Sequence, residues 1–227
     1  MIVKKFQITQ LVAFILFCLS FVFSPMYAQA YQNEKTDRNE EVRLVVEKSV
    51  QDLLAKYHKE LPLFETNPDG FLKEMDLVLS EIVDFRLIAA RVMGKYGRKA
   101  SKAQKKRFVE VFKKSLYSTY TKTLVESGVT KINVTKARLN SRSDKKATVD
   151  LNVISDNGTV FPIIYSMHKA KDDKWLLENV IVFGVNVGLA FRDRFELQYR
   201  KHKGDISSVI EGWEVNLKID KKSDEDV

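Results

Sequence analysis

The first half of the chain repeats apolar residues every three or four positions, as amphipathic helices do. Val42, Val46, Val50 and Tyr57 fall on one side of a helix that Pro62 ends. Ser101 and Gln104 form a capping box, because the serine hydroxyl can accept a hydrogen bond from the Gln104 backbone while the glutamine side chain reaches back. The pattern predicts helices from Val42 to Pro62, from Asn67 to Ile82, and from Phe85 to Met93, where Gly94 is placed to close the helix as a left-handed cap. A further helix starts at Ser101 and is stopped by Gly128, and it presents one apolar face made of Phe108, Val111, Phe112, Leu116, Tyr120 and Leu124.

After Gly128 the apolar spacing shortens to two residues, which is typical of half-buried strands. The predicted strands centre on 132–134, 149–153, 160–167 and 175–187, and polar turns separate them. The last two are apolar at both alternating sets of positions, so we expect helices to cover part of each sheet face. Two closing helices are predicted at 189–202 and 206–213. The fold class is therefore α+β, with a four-stranded antiparallel meander wrapped by N-terminal and C-terminal helices.

The first 30 residues are typical of a secretory signal peptide. Two lysines precede an apolar run from Phe6 to Phe23, and Ala28-Gln29-Ala30 provides a cleavage site. A transmembrane anchor is the alternative, but no positively charged stop-transfer flank follows the run. Cys18 lies inside the run after Phe17, where lipid attachment is not expected. We therefore expect an exported domain over residues 31–217, followed by a charged flexible tail over 218–227.

Composition excludes several classes of protein. One cysteine in 227 residues excludes disulfide scaffolds, multi-cysteine metal sites and Cys-x-x-Cys redox centres. His58, His168 and His202 have no second ligand at metal-binding spacing. No nucleophile elbow, phosphate-binding glycine loop or paired catalytic carboxylate is present. The sequence predicts no catalytic residue, no metal site and no cofactor.

The net charge of +8 includes a dense basic segment at the start of the capped helix. It could be a solvated helix face, or it could bind an anionic membrane surface or an acidic partner protein, since each nearby cation contributes about 1 kcal/mol at an anionic leaflet. Export makes nucleic acid an unsuitable ligand. The residues expected to dock on a partner are Lys102, Lys105, Lys106 and Arg107.

Several stretches together resemble the MlaC family of soluble periplasmic phospholipid carriers, also called toluene-tolerance auxiliary proteins. They are Val83-Asp84-Phe85, Ile88-Ala89, Val92-Met93-Gly94-Lys95-Tyr96, Gln104, Phe108, Phe112, Tyr120, Leu124, Trp175, Asn179-Val180, Gly184-Val185-Asn186, Arg192, Phe195, Gly204, Ile206 and Ile210. The chain departs from the family pattern at Gly97, where an aromatic residue is common, and at Asn179, where an aspartate is common. The resemblance covers essentially the whole mature chain.

The resemblance implies a lipid shuttle with an apolar cavity between sheet and helices and phospholipid as cargo. It implies a monomer that exchanges lipid with an inner-membrane Mla ABC transporter complex and an outer-membrane lipoprotein–porin complex, through transient contact with the membrane surface. Arg192 could meet a phosphate or form an ion pair on the helix surface. A scaffold module with a solid core is the alternative function, and a lipid-degrading enzyme ranks third. The expected lipid-binding residues are Phe85, Ile88, Val92, Phe112 and Tyr120 from helices and Ile163, Tyr165, Val180 and Val182 from strands.

Overall fold

The computed structural model describes residues 24–213, with side chains from residue 36. The chain divides into two compact units, residues 1–41 and 42–227, and the contacts described below lie within the second. The helices are α1 (Ser24–Glu60), α2 (Leu63–Thr66), α3 (Pro68–Ile82), α4 (Phe85–Met93), a 3₁₀ turn (Gly94–Arg98), α5 (Lys102–Glu126), α6 (Val187–Lys201) and α7 (Ile206–Glu211).

Side-chain caps fix where the helices begin. Asn67 accepts a hydrogen bond from the backbone of Gly70 at 3.0 Å and starts α3. Asp84 does the same for α4 through the Leu87 backbone at 2.8 Å. At α5 both bonds of the predicted capping box are present, since the Ser101 hydroxyl accepts from Gln104 at 3.1 Å and the Gln104 side chain accepts from Ser101 at 2.9 Å. These local signals lie in the sequence, which explains why the helix starts were predictable.

The sheet is an antiparallel meander with strand order β1-β2-β3-β4-β5. Its strands are β1 (Val129–Asn140), β2 (Ser143–Ser155), β3 (Val160–Lys169), β4 (Trp175–Val182) and β5 (Val185–Asn186). The prediction of one fourth strand running to residue 187 was too long. Phe183 and Gly184 have φ of 49° and 75°, so the chain reverses in a two-residue turn with positive φ at both positions. A short fifth strand results, and α6 begins two residues earlier than predicted.

Helices flank both faces of this sheet. Val42, Val46 and Val50 of α1 are almost completely buried and pack in one cluster with Val149 and Leu151 of β2. We call this side the α1 face. On the other side Asp84, at the start of α4, contacts His168 of β3 with Nε2 to Oδ2 at 3.1 Å. We call this side the α4 face. The expectation that helices cover both faces is confirmed.

A second hydrophobic core lies among helices α4 to α7. Its centre is aromatic: the rings of Phe108 and Phe195 meet edge to face at 5.2 Å, and those of Phe108 and Trp213 at 5.1 Å. The same cluster contains Val92 and Phe112. Leu124, predicted to share the buried stripe of α5, is 46% exposed, because the last turns of this long helix extend past the cluster. A third, smaller cluster joins the end of α1 to α3 through Tyr57 and Phe71.

Three predictions about the chain ends are not tested by this structure. Residues 1–23, with Cys18, and the tail 218–227 lie outside the described residues, and the predicted cleavage point after Ala30 lies within α1. Among residues 24–213, none of the helices is both long and apolar enough to span a bilayer.

Candidate functional site

A pocket of about 430 Å³ opens on the α4 face, between α4, the start of α6 and strands β3 and β4. Two guanidinium groups, Arg91 of α4 and Arg192 of α6, line it together with one carboxylate, Glu178. We call it the Arg91–Arg192 pocket. Its remaining lining residues are Ile88, Gly94, Ser166, Asn179, Asn186, Gly188 and Leu189.

The carboxylate of Glu178 is the electrostatic centre of this pocket. Its side chain is only 8% exposed, and it accepts hydrogen bonds from Arg91 at 3.0 Å and from Lys146 of β2. Burial alone would raise the pKa of Glu178, but the hydrogen bonds from Lys146 and Arg91 outweigh it and hold that pKa below its ordinary value. Two cations share one anion here, while Arg192 has a carboxylate contact with its neighbour Asp193 at 3.8 Å. The pocket therefore carries excess positive charge.

Asn179 of β4 holds the start of α6 against the sheet. Its carbonyl oxygen accepts from the Gly188 backbone at 2.9 Å, and its amide donates to the Asn186 side chain at 3.0 Å. Asn186 in turn accepts from the Leu189 backbone at 3.0 Å. A Cβ at position 188 would lie 2.4 Å from the Asn179 oxygen, so a larger residue there would displace the Asn179 side chain from this hydrogen bond. An aspartate at position 179 could accept from Gly188 but could not donate to Asn186.

Gly94 forms the rim of the pocket at the end of α4. Its backbone has φ 52° and ψ −132°, a conformation that costs little only for glycine. Gly94 ends α4 as predicted, and its φ is positive, but the predicted left-handed cap is wrong in ψ, which is −132° where the left-handed region has a positive value. A Cβ there would lie 3.5 Å from Cγ and Cδ of Arg192, so the glycine backbone lies directly beside the stem of that side chain.

The strand residues expected to bind lipid form a compact quartet. Ile163 pairs with Val182 and Tyr165 with Val180, in consecutive same-face positions of β3 and β4. The register with β2 pairs Tyr165 with Val149, which places the quartet on the α1 face. All four side chains are only partly buried, although burial raises the pKa of Tyr165 to about 12. We call these four residues the apolar quartet.

Four of the five helix residues expected to bind lipid belong to the aromatic core or pack against it: Val92, Phe112, Ile88 and Tyr120. Val92 and Phe112 are 1% exposed and enclosed by the aromatic core, and Tyr120 packs against that core. Phe85 is 8% exposed, whereas Ile88 lines the Arg91–Arg192 pocket on the face opposite the quartet. The expected set is thus divided between the aromatic core and the apolar quartet, with Phe85 beside Lys113, and its role in binding lipid stays a prediction.

A polar network joins α3 to α5 beside Phe85. Asp76 of α3 accepts a hydrogen bond from the Tyr117 hydroxyl at 2.7 Å and pairs with Lys113 at 2.5 Å. Burial, with the hydrogen bond to Asp76, raises the pKa of Tyr117. The Lys113 ammonium lies 4.8 Å from the centre of the Phe85 ring. Lys113 is therefore committed to a structural contact and does not extend the exposed basic surface.

The predicted docking residues lie on the first turns of α5. Lys102, Lys105, Lys106 and Arg107 are all exposed, and Arg107 contacts Glu110 at 3.5 Å. We call these four residues the α5 basic patch. The structure places Arg192 apart from them, in the Arg91–Arg192 pocket.

The histidines do not form a metal site. His168 contacts Asp84, and His58 lies 3.0 Å from the Val129 carbonyl oxygen. Within the described part of the chain, no group of three or more His, Cys, Asp or Glu side chains could hold a metal ion.

The sequence pattern singles out none of Arg91, Ser166 and Glu178 as a site residue. Arg91 and Glu178 are separated by 87 positions, so their pairing has no local pattern. The i, i+3 spacing of Ile88 and Arg91 could have indicated one helix face directed at the sheet. Of the residues predicted to bind lipid, headgroup or partner, Ile88 and Arg192 line this pocket.

Comparison with known proteins agrees with this architecture. The MlaC protein family matches residues 47–215. Toluene tolerance protein ttg2D of Pseudomonas putida is 33% identical over 170 residues, covering 74% of this chain and 78% of that protein. A phospholipid-binding protein from Ralstonia solanacearum, solved in complex with a phospholipid, superposes with a TM-score of 0.66 at 19% identity, covering 74% of this chain and 92% of that one. The chain belongs to the MlaC family.

Proposed function

We propose that this protein is a soluble periplasmic phospholipid carrier. It moves lipid between an inner-membrane ABC transporter and an outer-membrane lipoprotein–porin complex, and so maintains the lipid asymmetry of the outer membrane. The observation that carries the proposal is membership of the MlaC family. The phospholipid in the Ralstonia solanacearum protein of the same fold supports it.

The physical requirement for such a carrier is burial of hydrocarbon. At about 0.8 kcal/mol per methylene, two acyl chains with roughly 30 methylenes between them lose on the order of 24 kcal/mol when exposed to water. The apolar quartet offers partly exposed aliphatic and aromatic surface on the α1 face. Lipid carriage needs burial and release, and it makes or breaks no covalent bond.

The α5 basic patch is the proposed docking surface for the transport complexes or an anionic leaflet. Four exposed cations on neighbouring turns attract an anionic surface and speed encounter without contributing to the cavity. The signal peptide proposed for residues 1–30 would deliver the carrier to the periplasm.

A vesicle-to-vesicle assay tests the proposal. Purified mature protein should transfer labelled phosphatidylglycerol between donor and acceptor vesicles, and the double variant K105E/K106E should transfer it more slowly while retaining its bound lipid. The control K131E/K136E makes the same charge change at exposed positions of β1 and should transfer at the wild-type rate. Wild-type protein that neither extracts nor delivers lipid would favour a scaffold module. Equal rates of lipid transfer in the two double variants would show that the α5 basic patch is only a solvated helix face.

A further inference from the structure

Hydrocarbon burial does not account for the charged lining of the Arg91–Arg192 pocket. It lies on the α4 face, whereas the apolar quartet lies on the α1 face. A ligand of this pocket is therefore distinct from acyl chains packed on the quartet. We propose that this pocket binds a phosphate ester group, supplied by a lipid headgroup or by a soluble phosphate.

The charge of the lining is the first argument. Arg91 and Lys146 share the one lining carboxylate, Glu178. Arg192 lines the same pocket, and its carboxylate contact is a 3.8 Å one with its neighbour Asp193. Arginine binds phosphate through a planar fork of donors, so two guanidinium groups at one cavity match a tetrahedral oxyanion. Glu178 already pairs with Arg91, which fixes that guanidinium before any ligand arrives.

The neutral lining is the second argument. Ser166 and Asn179 add hydroxyl and amide groups on the strand side, while Ile88 and the 45% exposed Leu189 form apolar walls. A bare inorganic ion would use only the polar part of this lining. An ester with a carbon substituent would use both, and a volume of about 430 Å³ lies within the range of roughly 300–1,000 Å³ usual for small-molecule sites.

The backbone around the pocket is the third argument. Gly94 has a conformation that strains other residues, and it lies where the aliphatic stem of Arg192 passes the rim. Gly188 allows the close contact with Asn179 that holds the first turn of α6 at the pocket. Glycine at these two positions lets the backbone lie close to the pocket, as it does where a chain approaches a ligand.

Calorimetric titration of the folded mature protein at low ionic strength tests the assignment. The probes are dihexanoyl phosphatidylglycerol below its micelle concentration, glycerol 3-phosphate and inorganic phosphate. Wild-type protein should bind the phosphate esters; R192Q should bind them at least fivefold more weakly, and R91Q/R192Q more weakly still. The control K201Q removes an exposed cation from the last turn of the same helix and should bind within twofold of wild type.

The probes distinguish the two sources of phosphate. Tighter binding of the lipid than of glycerol 3-phosphate supports a headgroup, and equal binding supports a soluble phosphate. Unchanged affinity in a folded R91Q/R192Q protein would overturn the assignment, and so would the absence of binding by wild type at millimolar probe. Loss of partner-complex binding in R192Q, with no binding of any phosphate probe, would identify a protein-docking pocket instead and overturn it too. Lipid extracted in parallel from R91Q/R192Q separates this test from the carrier proposal, which requires only that cargo is present.

Discussion

Gly94 and Gly97 lie three residues apart in the 3₁₀ turn after α4, and only the first has a backbone conformation that favours glycine. Gly94 has a φ of 52°, whereas Gly97 is not in the positive-φ region and a Cβ there would meet Met93 Cβ at an ordinary 3.4 Å. The sequence predicted the first glycine from its place at the helix end. It could not predict that position 97 has room for a Cβ, which is compatible with the larger residue common in the family there.

We expect Gly94→Ala to lower the free energy of unfolding by about 1–3 kcal/mol, because alanine must adopt a strained backbone. Gly97→Ala is the matched control and should change it by less than about 1 kcal/mol. Urea denaturation of both variants provides the measurement. Equal losses in the two would show that the Gly94 conformation carries no strain.

Glu178 links stability to pH. Its folded pKa lies below the ordinary value of 4.5, so its ion pairs stabilise the folded protein above that pH. This contribution is lost as the pH falls through the folded pKa. Glu178→Gln should lower the free energy of unfolding by about 1–3 kcal/mol at pH 7, since Arg91 and Lys146 lose their shared anion.

The pH dependence provides the sharper measurement. Between pH 6 and pH 3 the Glu178→Gln variant should lose less stability than the wild type, in urea titrations at several pH values. Glu110→Gln is the control, because Glu110 is 53% exposed in its contact with Arg107 and its removal should change stability by less than about 1 kcal/mol. If the free energy of unfolding fell as steeply between pH 6 and pH 3 in Glu178→Gln as in the wild type, Glu178 would not be the source of this pH dependence.

At the scale of elements, the helices and strands set by neighbouring residues were predictable, and features that depend on distant contacts or unusual backbone were not. The capping box of α5 and the alternation of β2 are local, and both predictions were confirmed. The end of β4 was missed because it depends on Phe183 adopting positive φ, which is uncommon for a bulky residue. The sequence also could not predict which side chains of β3 and β4 point to which face of the sheet, because both strands are apolar on both sides. Only the register with β2 assigns Tyr165 to the α1 face.

That register gives a test of the apolar quartet. Val180 lies on the α1 face, and its chain neighbour Ile181 lies on the opposite one; both side chains are partly buried. Val180→Asn should reduce the phospholipid extracted per mole of purified protein several-fold, because it places an unpaired amide against hydrocarbon. Ile181→Asn should leave the lipid content within twofold of wild type while costing similar stability. A larger loss of lipid in Ile181→Asn would move the acyl-binding surface to the α4 face.

At the scale of the whole molecule, the family and the fold class were predictable and the candidate site was only partly so. Membership rests on many weak motifs in order along the chain, whereas the Arg91–Arg192 pocket depends on residues from α4, β3, β4 and α6 that meet only after folding. Val92 and Phe112 show the limit most clearly. Their spacing suits a cavity lining and a solid core equally, and the structure places both in the aromatic core.

Native mass spectrometry of the protein, purified without detergent from its native host, tests the carrier account most directly. We predict a folded species whose mass exceeds that of the chain by one or more phospholipids, with the excess released on collisional activation and identified by fragmentation. Removing that lipid should lower the melting temperature, because an empty apolar cavity costs about 24 cal/mol per Å³. A well-folded protein at the bare chain mass, which takes up no phospholipid from vesicles, would contradict the account.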